Sequence, residues 1–408
     1  MTISPNSPVC PEKRLLALCA RTRAARVAAQ IEEMARRPLD WDVLLSEATE
    51  NGITPLLDRQ MQPLVPVVVA HTVGERLRAA RRANTVRNLF LSAELGKVVR
   101  ELESAGVQAV TYKGPALAVQ AYGDVTLREF DDLDIVLPHR DLTKAHQVIG
   151  SLGYRAKFPW VLSPDAPASL VPGEYNYRDE ARRIIVEIHT ERTLRHVPLP
   201  PDLAGLYRRS VRLDVAGREV RTFSVEDNIP ILCVHGSKDF WGRLGWIADI
   251  AEIVQAHEDL DWDAVVRCAE THRSQRMLHL GLALACDVLQ LCVPQDVARR
   301  FRQDSVAAGI AEQVARALLG RGPSVPVGWG RFNFRRRMLP GFLAGSRYAL
   351  RLALTPAEED WSAIRLPPPL SPLYVVLRPL RLLRKYGFSS RGRQLPPKAP
   401  RHMSSESP

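Results

Sequence analysis

Two aspartates separated by one residue, Asp132 and Asp134, begin an apolar stretch that continues through residues 135–137. Side chains alternate between the two faces of a β-strand, so these carboxylates share one face about 6 to 7 Å apart, whereas Asp131 points to the other face. Carboxylates at that spacing can hold one hard cation or bridge two. An isolated Asp-x-Asp is more often only an acidic strand end. Its chemistry therefore depends on the elements beside it.

A lysine and a glycine stand upstream, where Lys113-Gly114-Pro115 separates a β-branched run at 107–112 from a helix-like run at 116–121. Proline at the first helical position, with glycine just before it, predicts a helix start whose free backbone N–H groups lie beside the lysine. Such helix starts bind anions, typically phosphate. The alternative interpretation is an ordinary strand-to-helix turn with a solvated lysine.

A second polar strand follows at 183–189, where Arg183, Ile185, Glu187 and His189 alternate onto one face. A glutamate and a histidine inside a β-branched run require polar surroundings. If this strand lies beside the aspartate strand, Glu187 supplies a third carboxylate. The alternative is an edge strand with one face in water.

Together these elements resemble the core of the polymerase-β-like nucleotidyltransferases. The chain is most similar to a bacterial family of largely uncharacterised nucleotidyltransferases, and the resemblance is strongest over residues 94–251. The family pattern corresponds here to Tyr112-Lys113-Gly114, Tyr122, the run from Arg128 to Asp134, and Glu187-Ile188-His189. Two departures are Lys113-Gly114, where the superfamily usually has glycine-serine or glycine-glycine, and Thr190, where the family often has an aromatic residue.

The resemblance implies an NTP, with ATP as the family default, bound with Mg²⁺ or Mn²⁺ and attacked at its α-phosphate by an acceptor hydroxyl. The acceptor is a small molecule, glycan, lipid or peptide. The implied metal ligands and catalytic residues are Asp132, Asp134 and Glu187.

The implied nucleotide-binding residues surround these carboxylates. Lys113 and the Gly114 amide would hold the phosphates, and Lys238 would reach the nucleotide. Arg128 would pair with a phosphate oxygen, or alternatively lock a carboxylate by a forked hydrogen bond. His189 would accept a proton or, as the favoured alternative, orient the surroundings of Glu187.

The implied fold is α+β, with a small mixed sheet as the core and helical regions on both sides. Helical spacing predicts an N-terminal helical region at 10–104, which would pack against the catalytic sheet, and a helical domain at 225–320. The core spans 105–224 and includes a hairpin that turns at Ala216-Gly217. Residues 1–9 are expected to be disordered, and 321–408 form a Pro- and Arg-rich extension that is partly disordered.

Composition limits the partners. The net charge is +11, but eight basic residues and one acidic residue lie from position 378 onward, and only 6% of residues are aromatic, which argues against nucleic acid as a partner. The basic, leucine-rich stretch 373–388 could contact an anionic membrane surface, although docking on the protein is the favoured alternative. Six cysteines without a C-x-x-C pair, and no visible signal peptide, indicate a cytoplasmic protein with reduced thiols.

Two other functions remain open. One is a metal-dependent glycosyltransferase of the Asp-x-Asp type, which would need a doubly wound nucleotide-binding domain before the motif. The other is a degenerate core that only binds. Because the metal site is expected to be wet, Asp132→Ala and Asp134→Ala are each predicted to leave the fold intact.

Overall fold

The protein is described by a computed structural model that covers residues 10–157, 174–190, 202–320, 325–326 and 329–386, except for positions 24, 66, 340, 355, 357 and 365. The predicted disorder of residues 1–9 and of the end of the C-terminal extension lies outside these residues.

The first hundred described residues are helical, as predicted. Asp40 begins the third helix by accepting hydrogen bonds from the backbone N–H groups of Asp42 and Val43, both at 3.0 Å. The helices are α1 (Pro11–Cys19), α2 (Ala28–Ala35), α3 (Trp41–Glu50), α4 (Thr54–Met61) and α5 (His71–Ser104).

The core is a seven-stranded mixed sheet in the order β3-β4-β5-β2-β1-β7-β6. Its strands are β1 (Val110–Thr111), β2 (Asp132–Val136), β3 (Arg155–Ala156), β4 (Glu174–Asp179), β5 (Ile184–His189), β6 (Val211–Val215) and β7 (Arg218–Thr222). The central strand β2 runs parallel to β5 and antiparallel to β1. The predicted α+β class is therefore confirmed. The strand expected at 107–112 is shorter than predicted, because the chain is still leaving α5 through Gly106, whose φ is +74°.

The predicted hairpin is confirmed as β6 and β7. Its two turn residues, Ala216 and Gly217, have φ values of +53° and +78°, the pair of positive angles that a two-residue turn of type I′ requires. Asp214 supports the turn, because its Oδ1 accepts the Gly217 N–H at 2.9 Å.

Helices follow or connect the strands. Those near the sheet are α6 (Gly114–Tyr122), α7 (Leu142–Ser151) and α8 (Leu203–Arg209). The region after the sheet holds α9 (Val225–Lys238), α10 (Leu244–Ala256), α11 (Trp262–Thr271), α12 (Gln275–Leu289), α13 (Gln295–Gln303) and α14 (Ser305–Leu319). The last helices are α15 (Trp329–Arg337), α16 (Gly341–Leu354), α17 (Glu358–Ala363) and α18 (Tyr374–Tyr386).

The helix α5 connects two hydrophobic cores. Its second half packs with α7 and one face of the sheet, through residues such as Leu95 and Leu102. Its first half joins α1 to α4 and α9 to α14 in a larger helical core. The prediction that the N-terminal helices pack against the sheet is thus wrong for α1 to α4, because α5 and α7 already cover that sheet face. None of the described helices is both long enough and apolar enough to cross a bilayer.

Candidate metal and nucleotide site

The register of β2 and β5 brings the predicted acidic residues together. Asp134 lies opposite Glu187, and each strand continues two residues further on the same face, where Val136 lies opposite His189. Asp132 lies one step back along this face, opposite Ile185. The face therefore changes from acidic at the start of β2 to partly apolar at its end.

Asp134 is the centre of the cluster. Its Oδ1 lies 2.7 Å from Nζ of Lys113 and 2.9 Å from Nε2 of His189. The same imidazole nitrogen lies 3.9 Å from Oε2 of Glu187. One ligand atom from each of Asp134, Glu187 and His189 falls within 4.8 Å of the other two, which is compact enough to surround one metal ion.

The other Asp134 oxygen shows that the cluster fits a cation. Asp134 is only 1% exposed, and its Oδ2 is buried without a hydrogen-bond partner among the described residues. A buried carboxylate oxygen left unpaired costs about 1–3 kcal/mol or more. A divalent cation held by this oxygen would remove that cost, so the donor set suits such an ion.

Charge is distributed unevenly over the cluster. Burial alone would raise the pKa of the Asp134 carboxyl, but the Lys113 ammonium and the His189 ring hold it well below its usual range. Burial would likewise lower the pKa of Lys113, yet the Asp134 charge holds it well above its usual value. Burial, with the negative charges of Asp134 and Asp132, raises the pKa of Glu187 to about 7. The site thus contains one fixed ion pair and one carboxyl that titrates near neutrality.

Asp132 lies at the edge of the cluster. It is half-buried at the first position of β2, and burial together with the Asp134 charge raises its pKa. The three residues whose ligand atoms lie within 4.8 Å of one another are Asp134, Glu187 and His189, and Asp132 is not one of them. The predicted trio of Asp132, Asp134 and Glu187 therefore shares one sheet face, and His189 belongs to the group of residues that could hold a metal, which the sequence did not indicate.

The start of α6 lies directly against Asp132. Helix α6 begins at Gly114, one residue before the predicted start at Pro115, so that proline lies in its first turn. Gly114 has a φ of +53°, and a Cβ at this position would lie 3.1 Å from the backbone oxygen of Asp132. Glycine is needed here both for the left-handed backbone and for the close approach. The positive end of α6 is thereby placed beside the acidic residues.

Comparison with known proteins agrees with this geometry. A family model described as "Uncharacterised nucleotidyltransferase" matches residues 37–290, which is more than half of the chain. The chain belongs to this nucleotidyltransferase family. No curated protein matches it. Among solved structures, it is similar to an antigenic nucleotidyltransferase-like protein from Paracoccidioides brasiliensis, with 17% identity over 46% of this chain and 91% of that chain, at a TM-score of 0.29. Similarity at that level supports no inference about the site.

Two residues of the nucleotidyltransferase pattern, Tyr122 and Arg128, contact a common partner. Arg128 donates from Nε to Asp249 Oδ1 at 2.8 Å and from Nη2 to Oδ2 at 3.0 Å, while the Tyr122 hydroxyl donates to Oδ1 at 2.8 Å. Asp249 is buried in α10. This is the carboxylate-locking alternative for Arg128, and it ties the loop before β2 to the helical core. A phosphate contact by Arg128 stays a prediction.

Lys238 also has a carboxylate partner. Its Nζ pairs with Glu174, the first residue of β4. Burial alone would raise the pKa of Glu174, but the Lys238 ammonium holds it at about 2. One turn earlier on α9, burial together with the charges of Lys113 and Lys238 lowers the pKa of His235 well below its ordinary value. Burial and these charges therefore favour the neutral form of His235. A nucleotide contact by Lys238 stays a prediction.

The sequence interpretation missed two residues on β4. Glu174 lies opposite His189, and Asn176 lies opposite Glu187, so both belong to the face that carries the cluster. The signal was available in the alternation of Glu174 and Asn176 with the buried tyrosines Tyr175 and Tyr177. Strand alternation alone would have marked these two polar positions as candidates for the nucleotidyltransferase site.

Proposed function

We propose that this protein transfers a nucleoside monophosphate from an NTP, with ATP as the default, to a hydroxyl of an acceptor, with Mg²⁺ or Mn²⁺ as the cofactor. The observation that supports this most directly is the unpaired buried oxygen of Asp134 inside the Asp134, Glu187 and His189 cluster. Membership of a nucleotidyltransferase family supports the same reaction class.

Asp134, Glu187 and His189 would hold the metal, and Asp132 would hold the ion that accompanies the nucleotide phosphates. When bound, such ions neutralise the charge that develops on the transferring phosphoryl group. The remaining catalytic contribution comes from positioning, because phosphoryl transfer needs little covalent chemistry from the protein.

Glu187 has the properties of a general base for the acceptor hydroxyl. Without a metal the pKa of its carboxyl is about 7, and a cation bound beside it would lower that pKa and keep Glu187 charged, as a proton acceptor must be. It also lies half-buried in the face next to Asp134, so it can accept a proton from a hydroxyl placed at the cluster.

Lys113 and the start of α6 would form the phosphate side of the site. Lys113 neutralises Asp134 in the described structure, and the α6 N-terminus lies against Asp132. An incoming triphosphate would bring its anionic oxygens to both groups. An ammonium and the free N–H groups of a helix start are donors that phosphate prefers.

The glycosyltransferase alternative loses support from the fold. Such an enzyme would place a doubly wound sheet before its Asp-x-Asp, whereas the described part of 10–104 contains helices and no strand. The first strand, β1, lies only a few residues before the Lys113-Gly114 turn.

The test measures transfer and binding together. The protein is incubated with each α-labelled NTP, Mg²⁺ and a metabolite extract, and both labelled product and pyrophosphate are followed, while calorimetry measures NTP–Mg²⁺ affinity. We expect Asp132→Asn and Glu187→Gln to lose transfer by at least 100-fold. The matched control is Asp131→Asn, because Asp131 is exposed and adjacent in sequence. The proposed site would be ruled out if Asp132→Asn and Glu187→Gln matched the control Asp131→Asn in both NTP–Mg²⁺ affinity and transfer.

A further inference from the structure

An apolar cavity adjoins the proposed catalytic face. The space within it, together with the open solvent at its mouth, amounts to about 590 Å³, and it reaches the sheet at His189 and Tyr112. Its remaining apolar wall comes from β2, α8, β7–α9 and α9 through Val136, Leu203, Leu206, Phe223, Ile231 and Val234.

The cavity continues the face that carries the carboxylates. Val136 and His189 form the next pair of residues after Asp134 and Glu187 on the two parallel strands. Successive positions on one strand face lie about 6 to 7 Å apart. The ring of Tyr112 packs edge-on against His189 at 5.7 Å and contacts Phe223 at the same centroid distance, so an aromatic wall leads from the cluster into the cavity.

Polar groups in the lining already bond within the protein. Nε2 of His272 accepts the Asp202 N–H at 3.3 Å, and the Ser274 hydroxyl donates to the Ala269 carbonyl at 3.3 Å. A nucleobase needs hydrogen-bonding partners at its edge, whereas an apolar group needs only a dry wall of matching shape. The lining therefore favours an apolar occupant.

We propose that the acceptor carries a branched aliphatic or aromatic group that occupies this cavity, about 6 to 7 Å from the reacting hydroxyl. This inference rests on the proposed function, because it assigns the acceptor end of that site. It narrows the acceptor class to molecules in which an apolar group lies four or five bonds from the hydroxyl.

The binding test needs no nucleotide. Saturation-transfer NMR with Mg²⁺ measures binding of 4-methyl-1-pentanol, with butane-1,4-diol as the matched probe that lacks an apolar end. We expect the methyl protons to receive the strongest transfer and the diol to bind at least tenfold more weakly. Ile231→Phe, which fills the cavity, should weaken pentanol binding at least tenfold. Val234→Leu, a smaller change, should weaken it about threefold. Val225→Phe, on the same helix but outside the lining, should leave it unchanged.

Three results would overturn the inference. The first is absence of pentanol binding, and the second is pentanol binding by folded Ile231→Phe that equals that of the wild type. The third is loss of ATP–Mg²⁺ affinity in Ile231→Phe, since this would place the nucleobase in the cavity. If ATP–Mg²⁺ fails to bind the wild-type protein while the pentanol binds as expected, the proposed function fails and the apolar site stands.

A separate surface is formed by α16 and α18, which contact each other. Helix α18 is anchored by residues one turn apart: Tyr374 is buried and donates to the Ile364 carbonyl, and Arg378 pairs with Asp360. The favoured alternative for the basic, leucine-rich stretch 373–388, docking on the protein, thus describes the inner side of α18. Its outer side presents Val376, Leu380 and Leu383, and α16 presents Leu343 and Leu350, all between 59% and 78% exposed.

Charge identifies an occupant for this outer face. The sequences of α16 and α18 contain no acidic residue, and the exposed Arg347 and Arg384 lie within or beside the apolar stripes. The sequence after α18 adds four basic residues and one acidic residue. Exposed leucines flanked by arginines match an anionic lipid surface, because arginine heads can reach phosphates while leucines enter the acyl boundary. We infer that α16 and α18 bind an anionic membrane surface from one side.

Vesicle sedimentation tests this second inference with the full chain. We expect binding to vesicles of phosphatidylcholine and phosphatidylglycerol at 3:1, and at least tenfold weaker binding to pure phosphatidylcholine. Leu380→Glu should lose at least tenfold in binding, whereas Val67→Glu, at an equally exposed valine on another surface, should not. Equal binding to both vesicles would overturn the inference. Absence of binding to either vesicle would also overturn it. So would a dimer, seen in sedimentation velocity, that the substitution Leu380→Glu dissociates.

Discussion

The buried pair of Lys113 and Asp134 gives a prediction in which stability and metal binding separate. The sequence predicted a wet site, with an intact fold after substitution of either aspartate. That environment is wrong for Asp134, which is 1% exposed and bonded to Lys113 and His189. We therefore expect Asp134→Leu to destabilise the protein strongly, because it leaves the Lys113 ammonium buried without its anion.

The magnitude follows from the pair. Removing one member of a buried ion pair costs about 3–5 kcal/mol, whereas replacing both members by apolar residues of similar size is often close to neutral. The double variant Lys113→Met with Asp134→Leu still lacks the His189 contact, a hydrogen bond worth about 1 kcal/mol. We expect Asp134→Leu to lose about 3–5 kcal/mol and the double variant to recover about 2–3 kcal/mol of it. Asp132→Asn, at the half-buried strand start, should lose less than about 1 kcal/mol.

Urea unfolding followed by circular dichroism and by tryptophan fluorescence measures these differences in one buffer without metal. Calorimetry with Mg²⁺–ATP is then run on the same variants. The double variant should be folded yet bind no Mg²⁺–ATP, because it lacks both the proposed metal ligand Asp134 and the proposed phosphate contact Lys113. Its loss of binding is thereby separated from a loss of folding. The reasoning is refuted if Asp134→Leu unfolds within about 1 kcal/mol of wild type, or if the double variant is no more stable than Asp134→Leu.

Three further predictions concern Glu187 and helix α6. Because metal binding needs the charged form of Glu187, whose pKa is about 7, Mg²⁺ affinity should rise about tenfold from pH 6 to pH 8 in calorimetry, and a slope that persists in Glu187→Gln would contradict this. Gly114→Ala should lose about 1–2 kcal/mol in urea unfolding because its φ is +53°, whereas Gly150→Ala, inside α7 with open space around its Cβ position, should gain up to about 1 kcal/mol. Tyr122→Phe should lose about 1 kcal/mol of stability with unchanged Mg²⁺–ATP affinity, since its hydroxyl bonds to Asp249; a loss of affinity above tenfold would place this triad at the ligand.

Strand alternation was sufficient to place Asp132 and Asp134 on one face, because the two-residue period depends only on the backbone. Asp131 precedes β2 and is exposed. Register was not readable in the same way. Whether Asp132 or Asp134 lies opposite Glu187 depends on which residues of β2 and β5 pair, and a shift of one residue moves every side chain to the other face. The structure pairs Asp134 with Glu187, and this pairing is what brings His189 to the cluster.

Helix packing was unreadable for a similar reason. An apolar stripe shows that a helix is buried without showing what covers it. The stripe of α1 meets the helical core, whereas the stripe at the end of α5 meets the sheet. Local patterns therefore predicted these helices, and the expected packing against the sheet is correct for the end of α5 and wrong for α1 to α4.

The residues that match the family pattern are of two kinds, and the pattern alone does not separate them. Lys113, Asp134, Glu187 and His189 meet at one point, whereas Tyr122 and Arg128 bond to Asp249. Asp249 lies in α10, more than a hundred residues after Arg128, and its pairing fixes the loop that delivers Asp132 to the start of β2. This fork uses two of the five N–H donors of the Arg128 guanidinium to hold the backbone of the loop, and among the described residues the other donors stay free for the predicted phosphate contact. The pattern thus specifies an acidic cluster and, separately, the support that presents it to the α6 N-terminus.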